Sequence, residues 1–111
     1  ELSSIKGIVP PQEQEGMYHV YHQYTIRVLP EFGMSRDALA AALRDKGVGS
    51  MIYYPVPIHK QKALDKYTNI ALDLSVTEEI STQVLSLPVH PNVSTEQIYE
   101  IGSAMRALSH S

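Results

Sequence analysis

Two tyrosines and a histidine stand close together around two prolines, at Tyr53, Tyr54 and His59. Tyrosine hydroxyls and an imidazole are good hydrogen-bond donors to phosphate or sugar oxygens. The prolines at 55 and 57 fix the backbone and favour a preorganised loop. The loop also follows the end of a predicted strand, and ligand sites often lie at the ends of strands. These residues predict contact with a small polar ligand. A purely structural connection, with the tyrosine rings packed on the core, stays open.

The pair His19 and His22 has the H-x-x-H spacing that binds metal ions on a helix. These histidines fall in a predicted strand, where that spacing points the two rings to opposite faces of the sheet. No third ligand with suitable spacing accompanies them. The sequence therefore predicts no metal site here.

The remaining ionisable residues do not assemble into a catalytic set. The carboxylates are spread over different predicted elements, and no pair of them suits a general acid and base. A lysine that forms a Schiff base needs a desolvated or cationic neighbourhood to lower its pKa. The sequence offers no such setting for any of its five lysines, which are Lys6, Lys46, Lys60, Lys62 and Lys66.

Composition narrows the class of protein. The chain has 111 residues, 43% of them hydrophobic, which suits one domain with one core. The formal net charge of −3, with no basic cluster, argues against nucleic acid as a partner. No apolar run approaches the ~20 residues that span a membrane. The absence of cysteine fits a cytoplasmic location. The chain begins with Glu1 instead of Met, so we expect it to be part of a longer protein.

The first half of the chain carries signals for two strands and a helix. Alternating apolar residues predict a strand over 18–29. Ser35 predicts the N-cap of a helix, and Gly47 predicts the residue in left-handed conformation that ends it. A short strand over 49–54 then runs into the proline loop, with a short helix expected over 60–66 and a loop over 67–74.

The second half predicts helix, strand and helix. Ser75 with Glu78 fits a capping box for a helix that runs to about residue 84, and a short strand follows over 85–87. Ser94 with Gln97 fits a second capping box that begins the last helix. Residues 1–16 read as irregular. The expected fold is α+β, an α/β sandwich in the order β-α-β-α-β-α with helices packed on a three-stranded sheet.

Three ordered segments carry a family resemblance, and they are HVYHQYTIRV, RDALAAALRDKGVGSMIYYPVPIHKQKAL and VTEEISTQVLSLPVHPNVSTEQIYEI. They resemble the C-terminal part of the nucleotide-sugar aminotransferases of the DegT/DnrJ/StrS group. The similarity runs from about Tyr18 to Leu108. Its most specific pieces are the run G-x-G-x-x-x-Y-Y-P-x-P-x-H and the run L-S-L-P-V-H-P.

The resemblance implies the fold of aspartate aminotransferase, with pyridoxal phosphate held in a large N-terminal domain. A lysine of that domain forms the Schiff base, and an aspartate pairs with the pyridine nitrogen. The amino group passes from glutamate to a keto sugar linked to a nucleotide, in a homodimer with sites at the subunit interface. No lysine of this chain lies in the family's lysine motif.

The resemblance also assigns roles within the chain. Residues 1–16 are expected to be the linker from a missing large domain, and residues 17–111 the C-terminal small domain. Tyr54 and His59 are expected to contact the phosphates or hexose of the nucleotide sugar. Tyr53 is a third candidate that ranks behind these two, because alternation along the strand turns it toward the core. No catalytic residue and no cofactor are expected for this chain alone. The alternative is a free-standing α+β module that uses the same loop for a small anionic ligand.

Overall fold

The computed structural model describes residues 1–66 and 73–109. One antiparallel sheet contains, in spatial order, β1 (Ile8–Val9), β2 (Tyr24–Val28) and β3 (Val84–Leu87). The α-helices of the described residues are α1 (Arg36–Asp45), α2 (Ser75–Gln83) and α3 (Thr95–Leu108). The α+β class with a three-stranded sheet is confirmed, but the order of these elements is β-β-α-α-β-α. No helix in this part of the chain is long and apolar enough to cross a membrane.

The core joins the sheet to α1 and α3. Full burial of an aliphatic side chain stabilises a fold by about 1.5–3 kcal/mol. The side chains with no exposed surface come from both strands and helices, and they are Ile26, Leu39, Leu43, Leu85 and Met105. Because α1 contacts both β3 and α3, the core fixes where α1 begins and ends relative to the sheet.

Both ends of α1 follow the sequence prediction. The Ser35 hydroxyl accepts a hydrogen bond from the Ala38 N–H at 3.2 Å, so Ser35 is the N-cap. At the other end Gly47 has a φ of 79°. The Val48 N–H donates to the Leu43 carbonyl at 2.9 Å, the bond that defines a Schellman ending.

The start of α3 is also confirmed. The Ser94 hydroxyl accepts from the Gln97 N–H at 3.2 Å, and the Gln97 side chain accepts from the Ser94 N–H at 2.9 Å. These two reciprocal bonds form the predicted capping box. Met105 is buried on the core face of the helix, while Ile98 remains exposed.

The prediction of an irregular N-terminal segment is wrong for residues 8 and 9. Ile8 and Val9 form β1, which pairs antiparallel with Val28 and Arg27 of β2. Ile5 and Ile8 are buried in the core. A two-residue strand is too short to show a period, so only its partner strand reveals it.

Strand β2 begins at Tyr24, six residues later than predicted. Its partner β3 ends at Leu87, opposite Tyr24, because the next residue is Pro88, which has no N–H to donate. On the N-terminal side of Tyr24 the backbone leaves the extended region, and Tyr21 has a φ of 46°. Val20, which belongs to the alternating apolar pattern of the predicted strand, is exposed.

The strand predicted over 49–54 is reduced to one bridge. Met51 and Ser86 exchange two backbone hydrogen bonds, of 3.0 and 2.8 Å, on the free side of β3. Because β3 is only four residues long, this edge offers little ladder to pair with. The prolines at 55 and 57 stop any continuation.

Two helix predictions near α2 are also corrected. The helix expected over 60–66 is replaced by two 3-10 turns, Ile58–Lys60 and Lys62–Leu64. The N-cap of α2 is Leu74, not Ser75, and no side chain caps it. The Ser75 N–H instead donates to the Asp73 carboxylate at 2.9 Å, and this hydrogen bond lowers the pKa of Asp73. Of the loop predicted over 67–74, residues 67–72 lie outside the described residues.

Two arginines tie distant parts of the chain together. Arg36, the first residue of α1, is only 7% exposed. Its guanidinium donates to the carbonyls of Val84 at 2.8 Å and Ser81 at 3.2 Å, where α2 ends. Arg106 of α3 pairs with the Glu1 carboxylate at 2.8 Å, so the first residue lies against the last helix.

Candidate functional site

The loop that carries the predicted ligand contacts projects its tyrosines outward. Tyr54 is 72% exposed and Tyr53 is 38% exposed, and neither belongs to the buried core. Their rings meet edge to face with centroids 5.7 Å apart. The alternative in which the rings pack on the core is therefore not what the structure shows.

Both tyrosines line a cleft between the loop and α2. Its volume is about 350 Å³, at the small end of the range for ligand sites. One wall comes from the loop, the other from α2 and the start of β3. The lining residues are Tyr53, Tyr54, Val56, Pro57, Ile58, Thr77, Ile80, Ser81 and Val84. The cleft thus combines aromatic faces with hydroxyl groups, a surface suited to a ring that also carries polar groups.

His59 is not among the described residues that line this cleft. Its Nε2 lies 2.9 Å from a carboxylate oxygen of Glu78 on α2. The ammonium of the next residue, Lys60, lies 2.7 Å from the other oxygen of the same carboxylate. The structure therefore brings Tyr53 and Tyr54 together and places His59 in a separate ionic contact.

The carboxylate of Glu78 is held in its ionised form. The hydrogen bond from Lys60 lowers the pKa of Glu78 most, and the bond from His59 lowers it further. An ionised carboxylate can only accept hydrogen bonds, so His59 Nε2 must donate. Nδ1 is then the ring nitrogen of His59 that remains for another partner.

Glu78 was read from the sequence as part of a capping box, so its contact with the loop was missed. The cap pattern fits a local rule, whereas its partner His59 lies 19 residues away. No local spacing signals a pairing across that distance. The sequence offers only a histidine and a lysine side by side at residues 59 and 60, which does not identify their partner.

We expect this ionic contact to depend on pH. The lowered pKa of Glu78 means that its stabilising contribution is present above its ordinary value of 4.5 and is lost as the pH falls through the lowered pKa. The free energy of unfolding, measured with urea, should therefore differ between wild type and Glu78→Gln at a pH above 4.5, and the difference should shrink at a pH below the lowered pKa. A difference that is the same at both pH values would contradict this assignment.

The lysines of the chain do not fit a covalent pyridoxal phosphate site. All five of them are exposed. A Schiff-base lysine depends on desolvation or a cationic neighbour to lower its pKa. No step of the cofactor's chemistry is therefore assigned to this chain.

Within the described residues no group of three or more histidine, cysteine, aspartate or glutamate side chains could hold a metal ion. His19 stacks on Tyr21 with ring centroids 4.2 Å apart. Its Nδ1 accepts a hydrogen bond from the Tyr21 N–H at 2.9 Å.

The structure is a small α+β domain with two exposed tyrosines that line a cleft. Residues 1–106 match the DegT/DnrJ/EryC1/StrS aminotransferase family. The match covers nearly the whole sequence, and the chain belongs to this family.

Two curated relatives are much longer than this chain. It is 39% identical over 90 residues to a protein of Geobacillus stearothermophilus named pleiotropic regulatory protein, covering 81% of this chain and 23% of the relative. It is 37% identical over 100 residues to the UDP-N-acetyl-3-dehydro-alpha-D-glucosamine 3-aminotransferase of Acidithiobacillus ferrooxidans, covering 90% of this chain and 25% of that enzyme. The chain spans about a quarter of the length of these relatives.

Solved structures agree with the fold. A DegT/DnrJ/EryC1/StrS aminotransferase from Brucella abortus superposes with a TM-score of 0.85 at 30% identity, covering 99% of this chain and 28% of that one. The ntda protein of Bacillus subtilis, solved with its cofactor PMP bound, gives a TM-score of 0.78 at 28% identity, covering 99% of this chain and 25% of that one. The expected likeness to one domain of an aminotransferase is confirmed.

Proposed function

We propose that this chain is the C-terminal small domain of a pyridoxal-phosphate-dependent aminotransferase. The whole enzyme would move an amino group from glutamate to a keto sugar linked to a nucleotide. The name of the Acidithiobacillus relative supports the substrate class, and the PMP-bound Bacillus structure supports the cofactor. Family membership favours this function over the free-standing binding module.

The chemistry would belong to another part of the enzyme. Pyridoxal phosphate supplies an electron sink when bound. The five lysines of this chain are exposed, which supports a Schiff-base lysine located elsewhere. The chain alone is then inert, and its contribution is to bind and orient the sugar substrate.

The observation that carries the substrate role is the exposure of Tyr54 at the rim of the cleft. An exposed aromatic ring beside a cleft can stack on a sugar or base, and its hydroxyl can donate to an oxygen. Tyr53 forms part of the same wall. His59 lies outside the cleft, and its Nδ1, which Glu78 does not use, is proposed to contact the phosphates or hexose of the nucleotide sugar.

The domain boundary and the partners belong to the same proposal. Residues 1–16 would connect to the large domain, although Ile8 and Val9 also supply a strand to the sheet of residues 17–111. The large domain and a second copy of the enzyme are the proposed partners, at a cytoplasmic location. The net charge of −3 supports the absence of nucleic-acid contacts.

The role of Tyr54 can be tested in the full-length enzyme. Tyr54→Ala should lower kcat/KM for the nucleotide sugar roughly tenfold, because a stacking contact and a hydrogen bond together contribute ~1.4 kcal/mol. The half-reaction with glutamate should stay within about twofold of wild type. Stopped-flow absorbance of the cofactor measures the two half-reactions separately.

Tyr99→Ala is the matched control, because Tyr99 is a similarly exposed tyrosine on α3. It should leave both half-reactions unchanged. Tyr54→Phe separates the ring from the hydroxyl. Equal losses in both half-reactions of Tyr54→Ala would indicate a defect in folding or cofactor binding and would overturn the assignment of Tyr54.

A further inference from the structure

The two walls of the tyrosine cleft come from separate elements. The loop supplies Tyr54 and Ile58, and α2 supplies Thr77 and Ser81. The distance between loop and helix therefore sets the width of the cleft. Any contact that joins these two elements also positions the groups that face the ligand.

Glu78 makes such a contact. It lies on α2 between Thr77 and Ser81, and both of its carboxylate oxygens are used by consecutive loop residues. His59 takes one oxygen at 2.9 Å, and Lys60 takes the other at 2.7 Å. The side chain of Glu78 is 40% exposed and that of His59 only 16%, so water screens the contact only in part.

The loop is braced locally as well. The Gln61 side chain donates to the Val56 carbonyl at 3.1 Å. The Lys60 and Gln61 N–H groups donate to the carbonyls of Pro57 and Ile58 at 2.9 and 3.0 Å. These bonds hold the shape of the loop but do not join it to α2. Among the polar contacts found in the described residues, the contact of Glu78 with His59 and Lys60 joins the two walls.

We propose that Glu78 is a positioning residue, whose carboxylate holds the Tyr53–His59 loop against α2 and so sets the width of the ligand cleft. It does not touch the ligand in this role. Its carboxylate contacts His59 and Lys60 at the end of the loop, and Glu78 itself belongs to α2, which forms the opposite wall. This inference goes beyond the assignment of Tyr54, and only its consequence for sugar binding rests on the proposed function.

The positioning itself can be measured on the 111-residue chain without any assumption about activity. Glu78→Gln keeps the size of the side chain but removes its negative charge, and its single amide oxygen cannot replace the two carboxylate oxygens that His59 and Lys60 contact. The amide hydrogens of Lys60 and Gln61 should then exchange roughly fivefold faster, because a partly screened charged contact restrains their turn. Exchange in the buried part of α1 should not change.

Glu96→Gln provides the matched control. Glu96, like Glu78, is an acidic residue in the first turn of a helix, so both substitutions remove the same interaction with the helix dipole. The control should leave the loop amides unchanged. Lys60→Met offers a second way to break the contact and should speed exchange at Gln61. Unchanged exchange in both Glu78→Gln and Lys60→Met overturns the proposal.

The consequence for binding is tested in the full-length enzyme. Glu78→Gln should raise KM for the nucleotide sugar roughly three- to tenfold with little change in kcat for the glutamate half-reaction. The paired exchange Glu78→Lys with Lys60→Glu should recover part of this loss, since it restores an ion pair between the same elements. Faster loop exchange with an unchanged KM would support the positioning role of Glu78 but contradict the proposed sugar contact. Normal exchange with a raised KM would overturn the positioning role.

Discussion

Gly7→Ala should destabilise the domain by ~3–5 kcal/mol, a large share of the stability of a small domain. Gly7 has a φ of 78°, which L side chains rarely adopt. A Cβ at this position would lie 2.1 Å from the Phe32 backbone nitrogen and 2.6 Å from its Cα. Backbone atoms cannot move aside as a flexible side chain can, so β1 must shift away from the turn that carries Phe32. Urea unfolding followed by circular dichroism measures the loss.

Gly16→Ala separates the steric effect from the backbone effect. Gly16 has almost the same φ, 77°, but no atom lies within 4 Å of the added Cβ. We expect a cost of only ~1 kcal/mol there, from the left-handed conformation alone. If the two substitutions cost the same, Gly7 is not packed against the Phe32 turn and the placement of β1 is wrong.

Arg36→Met should cost ~2–4 kcal/mol, the second large effect. The guanidinium of Arg36 is buried and donates to the Val84 and Ser81 carbonyls at the end of α2. The last carbonyls of a helix lack partners within the helix, and a cation there complements the helix dipole. The last turn of α2 has no basic residue of its own. Methionine fills similar space but leaves these carbonyls without their donor.

Arg44→Met is the control, because Arg44 lies on the same helix but is exposed. It should cost less than about 1 kcal/mol. Arg36→Lys should fall between the two, since an ammonium keeps the charge without the planar set of donors. Thermal unfolding of the three variants decides the matter, and equal losses for Arg36→Met and Arg44→Met would refute the role given to Arg36.

The features that the sequence predicted well are determined locally. Ser35, Gly47 and Ser94 each act on backbone groups within a few residues, so their neighbours alone decide the outcome. The loop at Tyr53 and Tyr54 was also recognisable, because its prolines and tyrosines are adjacent in the chain. In these places local chemistry and the final fold agree.

The features that the sequence did not predict depend on distant partners. Strand β1 exists because β2 offers it a register, and β2 begins late because Pro88 ends the strand beside it. The sequence does not distinguish buried Arg36 from a surface arginine, because its partners at the end of α2 are distant in the chain. The direction of His59 follows from Glu78, whose local pattern indicated a helix cap. Periodicity and local spacing carry no information about contacts between residues that are distant in the chain.

The ion pair between Glu1 and Arg106 brings the first residue to the side of the last helix. The first residue therefore lies beside α3. In the isolated domain a linker from the end of α3 could be joined to Glu1, and new ends could be opened in the exposed segment 12–16, which belongs to no strand or helix. Such a circular permutant would keep every strand pairing of the sheet, so the order of residues along this polypeptide is less restrictive than the arrangement of its contacts.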